Sequence, residues 1–146
     1  MARSNFSARR IPNGTYGSYW LNDERMAEVY GCQAKVQINT DTINLCGQFM
    51  EGYKPVSGKG SGSLMLYKVD SGMIEYLKSI QDGQVPEGKI VSKLADPDSA
   101  GFERIAYYGV MFTDLTLADW QAATSGKITA PFTFTRFELL DAIEVQ

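Results

Sequence analysis

Apolar and polar residues alternate without interruption over residues 30–39: Tyr30, Cys32, Ala34, Val36 and Ile38 fall on one side, and Gly31, Gln33, Lys35, Gln37 and Asn39 on the other. A period of two is the pattern of a strand with one covered and one wet face, so the apolar set is expected to be buried. Upstream, the aromatic stretch 16–21 favours a strand, Asn22-Asp23 supplies a turn and the chain resumes at Met26, which predicts a β-hairpin. A second long strand is expected over residues 42–50. "SLMLYKV" from Ser63 forms a third, with Leu64 and Leu66 opposite Met65, Tyr67 and Val69.

The period then changes. In "SGMIEYLKSIQDG" the residues Met73, Ile74, Leu77 and Ile80 share one side, which predicts a helix over 71–82 with Ser71 or Gly72 as N-cap and Gly83 just past its end. Strand character returns in "GKIVSKLAD" and "FERIAYYGVMF", on either side of the turn Asp96-Pro97-Asp98-Ser99. "TDLTLADWQAAT" fits neither period. "PFTFTRFELL" alternates through Phe132 and Phe134 and continues through Phe137 and Leu139 one residue out of step, which predicts a bulge near Arg136. The elements add up to a mainly β (α+β) chain with one helix, in a single domain spanning 1–146.

Two segments stand outside this pattern. Residues 1–14 are polar, carry Arg3, Phe6, Arg9 and Arg10, end in a Pro-Asn-Gly turn and are expected to lie free as an arm. Residues 50–62 pack four glycines, a proline and two lysines into a stretch with no period, which predicts a long loop. Such a loop is uncommon in a compact domain and, when present, is usually functional or disordered. Its apolar members, Met50, Tyr53 and Val56 beside Phe49, call for a surface to lie against. If that surface belongs to another copy, the loop is an assembly arm.

Composition narrows the chemistry. The 146 residues contain no histidine, which removes the commonest general base near neutral pH and the commonest nitrogen ligand for zinc. Two cysteines, Cys32 and Cys46, are too few for a disulfide framework or a thiolate-only zinc site. A net charge of −3 argues against gripping nucleic acid through long-range attraction. No apolar h-region is visible near the start and no run approaches ~18 apolar residues, so synthesis in the cytoplasm without a membrane anchor is expected.

The motifs that imitate active sites fail on detail. Gly52 and Gly58 are one residue too far apart for a P-loop, Gly60 follows Lys59 where Ser or Thr is needed, and a strand follows where a helix should open. "DPDSAG" opens like a calcium loop, but Ala100 and Tyr107 occupy ligand positions five and twelve. With no histidine, a serine nucleophile would need a lysine base that no spacing suggests. No cofactor and no catalytic constellation are expected.

Three stretches in the same order, "GYKPVSGKGSGSLMLYKV", "DPDSAGFERIAYYGVMF" and "PFTFTRFELLDAI", together with the opening "NGTYGSYWLNDERMAEVYGCQAKV", resemble the tail tube proteins of contractile bacteriophages and phage-like particles, of the PBSX defective-prophage type. The resemblance implies an antiparallel β-sandwich or barrel with one flanking helix, and a non-enzymatic structural subunit, similar to those of R-type bacteriocins and type VI secretion, that forms hexameric rings stacked into a tube inside a sheath. It implies partners in further copies, in sheath and baseplate proteins, and in DNA only as transient cargo of a channel that in this family tends to be acidic. The stretch Met50, Gly52, Tyr53, Lys54, Pro55, Val56, Gly58 and Lys59 is similar in place to the loop that reaches the next ring, and Arg3, Phe6, Arg9 and Arg10 to an assembly arm. Gln33, Lys35, Gln37 and Asn39 would face either channel or sheath. The expected place is a virion tail or phage-like particle assembled in a bacterial host. The alternative from another class is a monomeric β-sandwich module that binds a ligand with its glycine-rich loop, and a small carboxylate enzyme is a further rival.

Overall fold

The computed structural model describes residues 7–84, 88–99 and 101–143. Strands β1 (Gly17–Leu21) and β2 (Glu24–Arg25) flank Asn22 and Asp23, whose φ angles of 51° and 67° give the two-residue turn whose twist suits a tight hairpin. Next come β3 (Val29–Ile43) and β4 (Gly52–Tyr67), antiparallel partners over nearly their whole length. Helix α1 (Gly72–Gln81) follows, and then β5 (Gly88–Leu94), β6 (Glu103–Phe112), β7 (Lys127–Phe134) and β8 (Arg136–Asp141). The strand order is β2-β1-β5-β6-β7-β4-β3, with β8 paired to β6.

One sheet thus folds over on itself into two layers, and β6 belongs to both. Its first part pairs with β5 and β8, its last residues Met111 and Phe112 with β7. Between the two parts Gly109 takes φ 65°, a bend that a side chain would strain and that Thr135 crowds from the facing segment. The core fills the space inside the fold: Leu64 and Leu66 from β4 and Ile128, Ala130, Phe132 and Phe134 from β7 meet Tyr19, Ile90, Tyr107 and Val110. Phe132 and Phe134 rings pack against Tyr107 at 6.3 and 5.0 Å.

The helix matches expectation. Asp70 accepts the Gly72 N–H at 3.0 Å, Gly83 has φ 85° just past the Asp82 cap, and Gln84 N–H closes back on the Ser79 carbonyl. Its inner side reaches the core through Met73 and Tyr76, whose ring meets Phe112 edge-on at 5.3 Å.

Four expectations need correction. The stretch 50–62 is not a loop: from Gly52 onward it is β4, and the connection is the shorter segment 44–51. The strand expected over 42–50 stops at Ile43. The apolar side of residues 30–39 is not buried, because β3 is an edge strand that runs past the body; Val36 and Ile38 are exposed. Near Arg136 there is a sheet switch rather than a bulge, since β7 ends at Phe134 in the layer of β4 and β8 starts at Arg136 against β6. The ambiguous stretch 113–124 has no regular element and leaves Leu117 and Trp120 exposed.

Candidate functional site

The β3–β4 hairpin divides at Gly60. From Gly60 to Tyr67, β4 lies between β3 and β7, with Gly60 opposite Phe134 and Gly62 opposite Phe132. A Cβ on Gly60 would stand 2.6 Å from the Phe134 ring, and one on Gly62 would meet both the Phe132 ring and the Gln33 carbonyl. These glycines let rings and backbone lie directly on the strand. Close approach, not freedom to swing, is their role.

From Gly52 to Lys59, β4 has only β3 for a partner among the described residues. Eight residues at ~3.4 Å each carry this two-stranded ribbon about 27 Å beyond the third strand. Pro55 is tolerated there because the outer edge of the ribbon has no ladder to serve. At the tip, Gly47 turns the chain with φ 85°, Gln48 N–H bonds to the Leu45 carbonyl at 3.2 Å, and Phe49 is fully exposed, with Met50 79% exposed. Tyr53 and Val56 are exposed further down. The expected set Met50, Gly52, Tyr53, Lys54, Pro55, Val56, Gly58 and Lys59 is therefore gathered on one projecting structure, which also carries Ile38 and Leu45.

The outer face of the layer built by β3, β4 and β7 is a second feature. Gln33, Lys35, Gln37 and Asn39 alternate along β3 and pair across with Ser63, Ser61, Lys59 and Ser57 of β4. Asn39 donates to the Ser57 hydroxyl at 3.0 Å. On β7, Thr133 stands opposite Ser61 and Thr129 opposite Met65. At the proximal rim Lys127 lies 5.8 Å over the Tyr30 ring and 5.9 Å over that of Tyr67, which are themselves 4.7 Å apart. The serines and threonines were not singled out from the sequence, although Ser57, Lys59, Ser61 and Ser63 at every second position carry the signal.

The arm is more firmly held than expected. Arg3 and Phe6 lie outside the described residues. Arg9 and Arg10 sit in a single 3-10 turn, Ala8–Arg10, whose N-cap is Ser7. Arg9 pairs with Asp98 at 3.1 Å, an exposed contact, while the Asn13 N–H donates at 2.7 Å to Asp96, which is buried. Asp96 also accepts the Asp98 N–H at 2.9 Å, so one carboxylate fastens residues 7–16 to the turn after β5.

Between the layers, where β1 and β3 do not pair, a hollow of about 690 Å³ opens, lined in part by Tyr19, Met26, Cys32, Met65, Ile105 and Tyr107. Burial pushes the Tyr19 and Tyr107 hydroxyls above their ordinary range, and Tyr19 Oη is buried with no partner among the described residues. Cys32 keeps an exposed surface yet lines this hollow, where desolvation pushes its thiol up to about 11. The shielded thiol governs its chemistry, and at neutral pH it is a poor nucleophile.

The described residues form a small β-body with a projecting ribbon and a long edge strand. A profile of the family described as "Phage tail tube protein" matches residues 4–141, and the chain belongs to that family. It is similar to the phage-like element PBSX protein XkdM of Bacillus subtilis (strain 168), 30% identical over 138 residues that cover 90% of this chain and 92% of that one. Its fold is similar to a chain of the PVC extracellular contractile injection system sheath-tube complex in the extended state, with TM-score 0.71, 13% identity and coverage of 96% and 94%. It is also similar to the SPP1 tail tube, with TM-score 0.65, 10% identity and coverage of 91% and 81%. The protein is a structural subunit of a phage or phage-like particle tail tube and not an enzyme.

Proposed function

We propose that copies of this chain close into hexameric rings that stack around a channel for DNA or ions. The observation that carries the reading is the 15-residue edge strand β3, unpaired along its outer side among the described residues and continuous with the ribbon. An exposed edge of that length is an aggregation hazard in a monomer, and assembly turns it into an intermolecular bond. The short strand β8 offers a second, different free edge. Two unlike edges suit a head-to-tail contact that closes into a ring, while the ribbon supplies a separate axial contact that never closes and so builds a filament.

In this reading the ribbon residues Met50 to Lys59, with Phe49, bind the neighbouring ring, and Lys54 and Lys59 meet carboxylates there. Arg3, Phe6, Arg9 and Arg10 extend the axial contact from the N-terminal side. The tube works with a sheath and a baseplate, in a particle made in the cytoplasm of its bacterial host. The monomeric binding module has one observation in its favour, a hollow within the size range of ligand sites.

Replacing residues 40–56 by Asn-Gly, between the paired Asn39 and Ser57, shortens both ribbon strands equally. The shortened protein is expected to keep its circular dichroism and to form rings without long tubes by negative-stain microscopy. Wild-type protein that stays monomeric at every concentration would overturn the assembly reading and favour the binding module.

A further inference from the structure

We infer that the hollow between β1 and β3 is the socket for the ribbon tip of a second copy, so that each chain is plugged end-on by the next. The inference rests on the ribbon contact proposed above and names its receptor. Strand β3 joins the two features. Its opening residues Val29, Cys32 and Ala34 line the hollow, together with Tyr19 of β1 and Ile105 of β6, while its closing residues run out along the ribbon. Hollow and tip therefore lie at opposite ends of one strand. From Cys32 to Ile43 the extended backbone covers about 37 Å, at ~3.4 Å per residue. A chain cannot bend this ladder back to fill its own hollow, so the occupant comes from outside, and a contact between unlike ends repeats without closing.

The two sides match in chemistry. The tip is a turn, residues 44–51, that presents Leu45, Phe49 and Met50 to water. The hollow, about 690 Å³, has an apolar lining in which Met26, Val29 and Ile105 are only partly covered, and its size falls within the ~300–1,000 Å³ of sites that engulf a small molecule. Seating the tip there removes both apolar surfaces from water at once. Charge follows the same division. Glu103 stands opposite Leu94 in the ladder, on the side of the sheet that carries Ile105, and lines the hollow where β6 begins. Lys54 lies just behind the tip, on the level of Asp41. Neither Lys54 nor Glu103 has an ion-pair partner among the described residues. An inserted tip brings them together, which identifies Glu103 as the carboxylate that Lys54 meets. The turn also carries Glu51, for which the rim of the hollow offers Arg25. The space that speaks for a ligand site is, in this assembly, already taken.

The test joins the two sides covalently in assembled tubes. The turn already holds Cys46, which is exposed, and Ala27 at the rim of the hollow is small and exposed. Full-length protein with Cys32→Ser and Ala27→Cys thus carries one thiol on each side. A short bismaleimide is applied to the tubes and the products are separated on a denaturing gel. Contact between tip and hollow is expected to give a ladder that continues past the number of chains in one ring, because each copy is joined to the one before and the one after. Cys46→Ser, or leaving Ala27 in place, should abolish the ladder. Intact tubes whose products stop at one ring would put the contact within a ring. Intact tubes that give dimers alone would set like against like, and intact tubes that give no cross-link would separate tip from hollow. Each of these three results would overturn the inference and leave the tube reading standing. Wild-type protein that forms no tubes would overturn both. If only the Ala27→Cys variant fails to assemble, Thr15→Cys, also exposed on the rim, gives the same readout.

Discussion

From Gly60 to Tyr67 strand β4 has a partner on each side and aromatic rings lying on it, whereas from Gly52 to Lys59 it has β3 alone. Each half holds two glycines and at least one serine, and their difference shows that composition does not set the role of a glycine. At Gly60 and Gly62 the missing side chain is filled by Phe134 and Phe132; at Gly58 the nearest outside atom, Val36 Cγ1, is at ordinary contact distance, 3.4 Å. A two-stranded ribbon by itself is marginal in water. The outer half therefore depends on the inner half for its shape and, in the proposed assembly, on a neighbouring copy for its cover.

Substitutions moving outward along the hairpin sharpen that contrast. Gly62→Ala is expected to cost most, about 1–3 kcal/mol in urea unfolding, because the new Cβ meets the Gln33 backbone carbonyl, which no side-chain rotation relieves. Gly60→Ala should cost less, about 1 kcal/mol, since its obstacle is a ring that can tilt. At the next alternate position the sign changes. Gly58→Ala should leave the midpoint within about 0.5 kcal/mol of wild type or raise it slightly, through the reduced freedom of the unfolded chain. Equal losses at Gly58 and Gly62 would break the division into two halves. Phe49→Ser at the tip should change subunit stability by less than about 0.5 kcal/mol while reducing the sedimenting, assembled fraction.

Local signals were legible where local chemistry decides the outcome. The helix followed from a 3.6 period closed by Gly83, the first hairpin from Asn22-Asp23, and the turn after β5 from Asp96-Pro97. The long hairpin was obscured because what makes residues 52–67 a strand is remote: β3 on one side, and Phe132 and Phe134, some seventy residues on, on the other. Glycine and proline read there as a loop, since flexibility is their ordinary meaning. Burial along β3 failed for the converse reason. Its alternation is genuine, but the apolar side at Val36 and Ile38 runs beyond the body that was expected to cover it. The shift near Arg136 was seen and its cause was not, because a one-residue offset looks the same whether a strand bulges or changes layers. The apolar tip residues were picked out by their need for cover, and within the subunit Phe49 and Met50 are exposed, while the hydroxyl row on β4 was hidden by the same glycines that disguised the strand.

Strand β4 runs unbroken through 16 residues, from the exposed end of the hairpin into the centre of the fold. Traction applied at the far end is therefore carried along covalent backbone and loads the bonds to β3 and β7 sideways, many at once, because ladder bonds lie across the strand direction. Shearing a whole row together takes more force than peeling it bond by bond, so the protein is built to be tugged lengthwise without letting go.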